Sequence, residues 1–140
     1  MEKLINILLV EDDQLDVIDI RRTLDKMQLI YHLYVAKNGE EALQMLNGEG
    51  EDPLPALPDI VLVDINMPKM NGLEFLNAIR SSEKWKNLKC FIITTSDEKV
   101  EREKAKSLGI SGYIIKPLKL NSPSSMDAFN LMIDLMNMKS

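Results

Sequence analysis

Cysteine is almost missing from this sequence: Cys90 stands alone among 140 residues, so no disulfide can close within the chain. It heads the apolar run "CFIIT", which suits a small buried hydrophobe better than a reactive thiol. Glycine and proline are scarce, six of each, and no repeat or low-complexity tract is visible, which fits one compact domain able to bury a core. Basic residues number 17 against 22 acidic ones, and the net charge of -5 argues against a nucleic-acid backbone or an anionic membrane as partner. No apolar run reaches the length of about 18 residues that a membrane span requires, and no signal peptide heads the chain. The one histidine, His32, has no neighbour in the sequence suggesting a metal or phosphotransfer role. These absences predict a soluble, cytoplasmic, single-domain protein over residues 1–140, with no effector domain.

What is present is alternation. The runs 5–10 (INILLV), 32–36 (HLYVA), 59–64 (DIVLVD), 90–94 (CFIIT) and 112–115 (GYII) have the length and branched content of strands buried on both faces. Segments of helical period separate them, and a last one, "SSMDAFNLMIDLMNMK", follows the final strand. Strand and helix in strict alternation imply right-handed crossovers, hence a doubly wound α/β fold with a five-stranded parallel sheet. Residues 48–58 (GEGEDPLPALP) have no period and read as an enlarged surface loop.

In such folds the reactive crevice lies beyond the carboxyl ends of the strands. Those ends carry Glu11, Asp12 and Asp13 after the first strand, Asp64 after the third, Thr94, Thr95 and Ser96 at the fourth, and Lys116 before Pro117 after the fifth. Carboxylates crowded together need a proton or a cation, and a hard divalent ion such as Mg²⁺ suits oxygen ligands beside a phosphate. Asp12 and Asp64 are placed to ligate it directly, Glu11 through water and Asn66 through its backbone carbonyl, while Asp13 is better used as a helix cap. With that charge cancelled, a carboxylate can attack phosphorus to form an acyl phosphate. Lys116 and Thr94 would hold the phosphoryl oxygens. Other classes fit less well. A phosphatase working through an aspartyl phosphate needs a second aspartate two residues after the nucleophile, where Asn66 stands, and a mononucleotide site would need a Gly-rich loop in place of "EDD".

The segments "ILLVEDD", "DIVLVDINMPKMNGLEFL", "FIITTS" and "GYIIKP", in this order, resemble the successive signatures of receiver domains of two-component response regulators. The long loop before the third strand and "TTS" resemble the small regulators that accompany phytochrome-type histidine kinases. The resemblance implies a flavodoxin-like sheet of strand order 2-1-3-4-5, Asp64 as phosphoacceptor, Glu11 and Asp12 as the acidic pair, Thr94 and Tyr113 as switch residues, and a cis bond before Pro117. It also implies Mg²⁺ as cofactor, a sensor histidine kinase or phosphotransfer protein as donor, and output through the face of helix four, strand five and helix five. Two departures from the family stand at Thr95, bulkier than its usual Ala, Gly or Ser, and at Ser96, a position that tunes dephosphorylation. A receiver-like interaction module that takes no phosphate is the alternative reading.

The last helix carries two apolar stripes. At about 100° per residue, Met126, Phe129, Met132, Ile133 and Met136 share one face, and Ala128, Leu131, Leu135 and Met138 another. The first is expected to pack on the sheet and the second to form a homodimer interface.

Overall fold

The computed structural model describes residues 2–139. Five strands, β1 (Ile5–Val10), β2 (Tyr31–Ala36), β3 (Ile60–Val63), β4 (Cys90–Thr94) and β5 (Gly112–Ile115), alternate with α1 (Gln14–Asp25), α2 (Gly39–Leu46), α3 (Gly72–Arg80), α4 (Lys99–Ser107) and α5 (Met126–Met138). All strand pairs are parallel, in the order β2-β1-β3-β4-β5, as the alternation and the resemblance predict. Among the described residues no helix is long and apolar enough to cross a membrane.

Local chemistry starts the helices where the sequence says they should start. Asp13 accepts the N–H groups of Leu15 and Asp16 at the head of α1, and Asn71 and Glu74 form a reciprocal box at the head of α3. Asn38 and Ser125 cap α2 and α5 in the same way. Helix α4 lacks a side-chain cap and buries only Ala105.

Alternate strand residues feed two cores. Leu8, Val10, Val61, Val63 and Ile92 meet α2 and α3 on one face; Ile7, Leu9, Ile60, Leu62, Phe91 and Ile93 meet α1 and α5 on the other. Cys90 is wholly buried, and desolvation pushes its thiol up to about 11, as an inert core residue requires. His32 is exposed and stacks on Tyr34, with ring centroids 4.1 Å apart. The 48–58 loop departs from the expectation of a pure surface excursion. Leu54 turns inward into the first core, and its N–H is bound by the Met45 carbonyl at 3.0 Å.

The two stripes of α5 are exchanged relative to the sequence reading. Ala128, Leu131 and Leu135 are buried against the sheet and Met138 packs beside them, so these four do not form an interface between copies; Met126, Phe129, Ile133 and Met136 face solvent, and of the first stripe only Met132 packs against the core as expected. Apolar periodicity could not choose between two apolar stripes. Polar anchors at their margin do: Asp127 accepts the Tyr113 N–H at 2.8 Å and Asp134 pairs with Lys89 at 2.8 Å, which turns residues 128, 131 and 135 inward. Close approach helps fix the arrangement, since a Cβ on Gly112 would lie 3.2 Å from the Asp127 Cβ and 2.9 Å from the Phe91 ring.

The reversal has a measurable consequence. Leu131→Glu buries a charge at a position with no solvent exposure and should cost more than about 4 kcal/mol in urea denaturation. Ile133→Glu, on the open side, should change stability by no more than about 0.5 kcal/mol.

Candidate functional site

Parallel strands that end level with one another deliver their next residues to one edge. Glu11 follows β1, Asp64 follows β3, and Lys116 follows β5 through a backbone bond from its N–H to the Thr94 carbonyl. Asp64 is nearly buried and fixed from two sides: its N–H is held by the Val10 carbonyl at 2.9 Å and its Oδ1 accepts the Ile65 N–H at 2.8 Å. The start of α3 is pressed against it. A Cβ on Gly72 would fall 2.1 Å from the Asp64 carbonyl oxygen, so only glycine fits there.

One ammonium gathers the acids. Lys116 Nζ donates to Glu11 Oε1 at 2.7 Å, to Asp16 Oδ2 at 2.7 Å and to Asp64 Oδ2 at 3.2 Å. The Lys116–Pro117 bond is cis, as the resemblance implies. Glu11, Asp12 and Asp64 each bring an oxygen within 4.8 Å of the other two. Burial raises the Glu11 carboxyl to about 7, and the nearby Asp64 charge adds to this, against the lowering effect of the Lys116 bond. Burial alone would lower Lys116, but its bonds to Asp16 and Glu11 and the charge of Asp64 more than offset it and hold the ammonium above its ordinary value. The same contact thus pulls its two members in opposite senses. The ammonium stays charged among its carboxylates, and the excess negative charge is relieved at Glu11, the most buried of them. Three hard oxygens with more negative charge than one lysine balances are a donor set that fits a divalent cation.

The remaining expected residues surround this centre. Thr94 is wholly buried at the end of β4, and its hydroxyl accepts the Ser96 N–H at 3.3 Å; Thr95 beside it is exposed. Asn66 is exposed two residues beyond Asp64, and Asp13 serves α1 as the expected cap. The Tyr113 ring, an expected switch element, is buried, with its hydroxyl donating to the Ser96 carbonyl at 2.8 Å and the Arg102 guanidinium 5.2 Å above it. Arg102 in turn pairs with Asp97, and the Ser96 hydroxyl bonds Glu101. The sequence reading missed Asp16, Arg102 and Glu101. Asp16 stands in the first turn of α1, three residues past the cap, a place that marks a helix start and does not by itself signal the contact with Lys116.

The raised Glu11 carboxyl gives a sign for pH. A group protonated more readily when folded stabilises fully below its unfolded value of 4.5 and loses that contribution as pH rises through about 7. In a chelator, the wild-type chain should therefore lose stability across this window relative to Glu11→Gln. Urea midpoints between pH 5 and 8 that run parallel for the two proteins would contradict the shift.

With this geometry in view, relatives of known kind can be placed. Residues 7–124 match the response regulator receiver domain family. The sensor histidine kinase CheAY of Helicobacter pylori is 37% identical over 112 residues, 79% of this chain, although the chain spans only 13% of that protein. Response regulator Rcp1 of Synechocystis sp. is 28% identical over 114 residues, 81% of this chain and 78% of its own length. The Mn²⁺-bound structure of Rcp1 superposes with a TM-score of 0.73 at 27% identity, covering 91% of this chain and 88% of that one. The bacteriophytochrome response regulator RtBRR superposes with a TM-score of 0.78 at 33% identity, covering 95% of this chain and 78% of that one. A family match over most of the chain, a shared fold and an acidic cluster at the carboxyl edge of the sheet lead to one assignment: the chain belongs to the receiver domains of two-component response regulators.

Proposed function

We propose that Asp64 is the phosphoacceptor of this receiver. The observation that carries the reading is the Asp64 carboxylate, anchored at the end of a core strand, 3.2 Å from the Lys116 ammonium and inside an acidic cluster suited to a divalent ion. Mg²⁺ would be held by Asp12 and Asp64, by the Asn66 backbone carbonyl and, through water, by Glu11; the likeness to a receiver solved with Mn²⁺ supports such a site. When bound, the ion would cancel the charge that otherwise repels an incoming phosphate. An Asp64 oxygen forms the new O–P bond as the donor's N–P bond breaks, and the electron pair leaves with the donor imidazole. Lys116 neutralises a phosphoryl oxygen and Thr94 offers its hydroxyl to another. Asn66 supplies no acid or base for water attack, so loss of the group is slow and suits a signal. The donor is a sensor histidine kinase or a phosphotransfer protein in the cytoplasm, a reading supported by the likeness to part of CheAY.

Output passes through Thr94, Ser96 and Tyr113 to α4, β5 and α5, a path supported by the bond from the Tyr113 hydroxyl to the Ser96 carbonyl. Because the ring is already inside, the switch acts by releasing or tightening this bond rather than by first burying the tyrosine. The open side of α5 carries Met126, Phe129, Ile133 and Met136, of which Met126 shares a cleft with Ile115 of β5, and it is the surface through which two copies would pair.

Two experiments test these roles. With acetyl phosphate and Mg²⁺, the wild-type chain should gain one hydroxylamine-labile phosphoryl group and Asp64→Asn none; label retained in the variant would remove Asp64 from the role. In light scattering at tens of micromolar, the wild-type chain with beryllofluoride should be a dimer and Phe129→Glu a folded monomer. A wild-type monomer both with and without beryllofluoride would assign the apolar side to another partner.

A further inference from the structure

The ammonium of Lys116 has three N–H bonds, and the structure gives it three acceptors: Glu11, Asp16 and Asp64. No donor is left for a phosphoryl oxygen. Since the proposed chemistry needs Lys116 on that oxygen, one of the three bonds must yield when a phosphoryl group arrives. The three are unequal. Glu11 is deeply buried, and stripping its bond would leave the Oε1 atom of a buried carboxyl without its ammonium partner, a costly state. Asp64 is the reacting group itself and already has the longest contact. Asp16, on the first turn of α1, has a side chain 32% exposed, so water can replace the ammonium at little cost.

Space for the exchange is present on the same side. A cavity of about 210 Å³, lined by Asp16, Asp19, Ile20, Thr95, Lys116 and Leu118, lies between α1 and the segment after β5. Movement of the Asp16 and Lys116 side chains there requires no repacking of the core.

We infer that Asp16 is a positioning residue that competes with the phosphoryl group for the Lys116 ammonium, restraining the lysine in the resting protein and yielding it as Asp64 is phosphorylated. Asp16 then acts as a brake on entry of the group. It touches neither the donor nor the reacting atoms and works only through Lys116. The inference rests on the role proposed above for Asp64.

The test measures the rate at which acetyl phosphate with Mg²⁺ labels the full chain. Asp16→Asn, which keeps the size of the side chain and removes its charge, should label on the order of fivefold faster than wild type. Asp16→Glu should return towards the wild-type rate. Asp19→Asn, which lines the same cavity without touching Lys116, should label as wild type does. In a Lys116→Ala background, adding Asp16→Asn should change the residual rate less than twofold. An unchanged or slower rate in Asp16→Asn overturns the inference, as does an equal gain with and without Lys116, which would mark a general effect of charge on the approaching donor. Lower thermal stability of Asp16→Asn with no gain in rate would mean that the residue serves only its helix, and this too overturns it. Wild-type chain that labels while Asp16→Asn gains nothing removes this inference alone; wild-type chain that takes no label removes the role of Asp64 as well.

Discussion

A single ammonium keeps several carboxylates together at the edge of the sheet. Glu11 comes from the end of β1, Asp64 from the end of β3 and Asp16 from α1, and all three meet at Lys116 Nζ after separations of 105, 52 and 100 residues along the chain. Such groups would repel one another if left alone, and repulsion between like charges at these distances is strong where water is excluded. Lys116 therefore does two things with one charge. It makes the resting arrangement tolerable, and it leaves a deficit of positive charge that a divalent ion suits.

The opposite edge is held in a comparable way by one guanidinium. Arg80 at the end of α3 donates to the carbonyl oxygens of Lys86, Leu88, Leu108 and Gly109, tying together the segments that lead into β4 and β5. Between these two fastened ends α4 is the loosest helix, with one buried residue and no side-chain cap. Its contacts near the site are polar and partly exposed: Arg102 over Tyr113 and paired with Asp97, and Glu101 on Ser96. Local rearrangement is cheapest where few apolar contacts must be broken, which places the adaptable part of the molecule beside Tyr113.

The central strands β1, β3 and β4 were legible because each is a short apolar run buried on both faces, a pattern with few competing readings, whereas the edge strands β2 and β5 carry exposed His32 and Ile115. The strand-end residues were legible for a related reason: topology alone brings Glu11, Asp64, Thr94 and Lys116 to one edge once the sheet is parallel. What the sequence could not resolve was rotation and side-chain direction. Helix α5 is apolar on two sides, so the choice between Leu131 and Ile133 as core residue depended on the Asp127 and Asp134 anchors, which periodicity does not weigh. Asp16 looked like one more acid in a helical first turn, and its pairing with Lys116 is a contact over 100 residues. Leu54 lay in a Gly- and Pro-rich stretch, where a single inward side chain carries no periodic signal. Whether Tyr113 lies in or out is a matter of one rotamer, which no pattern of residues encodes.

The bond from the Tyr113 N–H to Asp127 bears on how copies of this molecule can meet. Strand β5 is the last of the sheet, and an outermost strand offers its unpaired amide groups to any other strand that comes alongside. Here one of those donors is already taken by a carboxylate from α5, and the strand is only four residues long. A second sheet aligning at this border would have to displace Asp127 and accept its charge beside it. Continuous sheets across two molecules are thereby disfavoured, and association is steered from backbone pairing to the side chains of the adjoining helix.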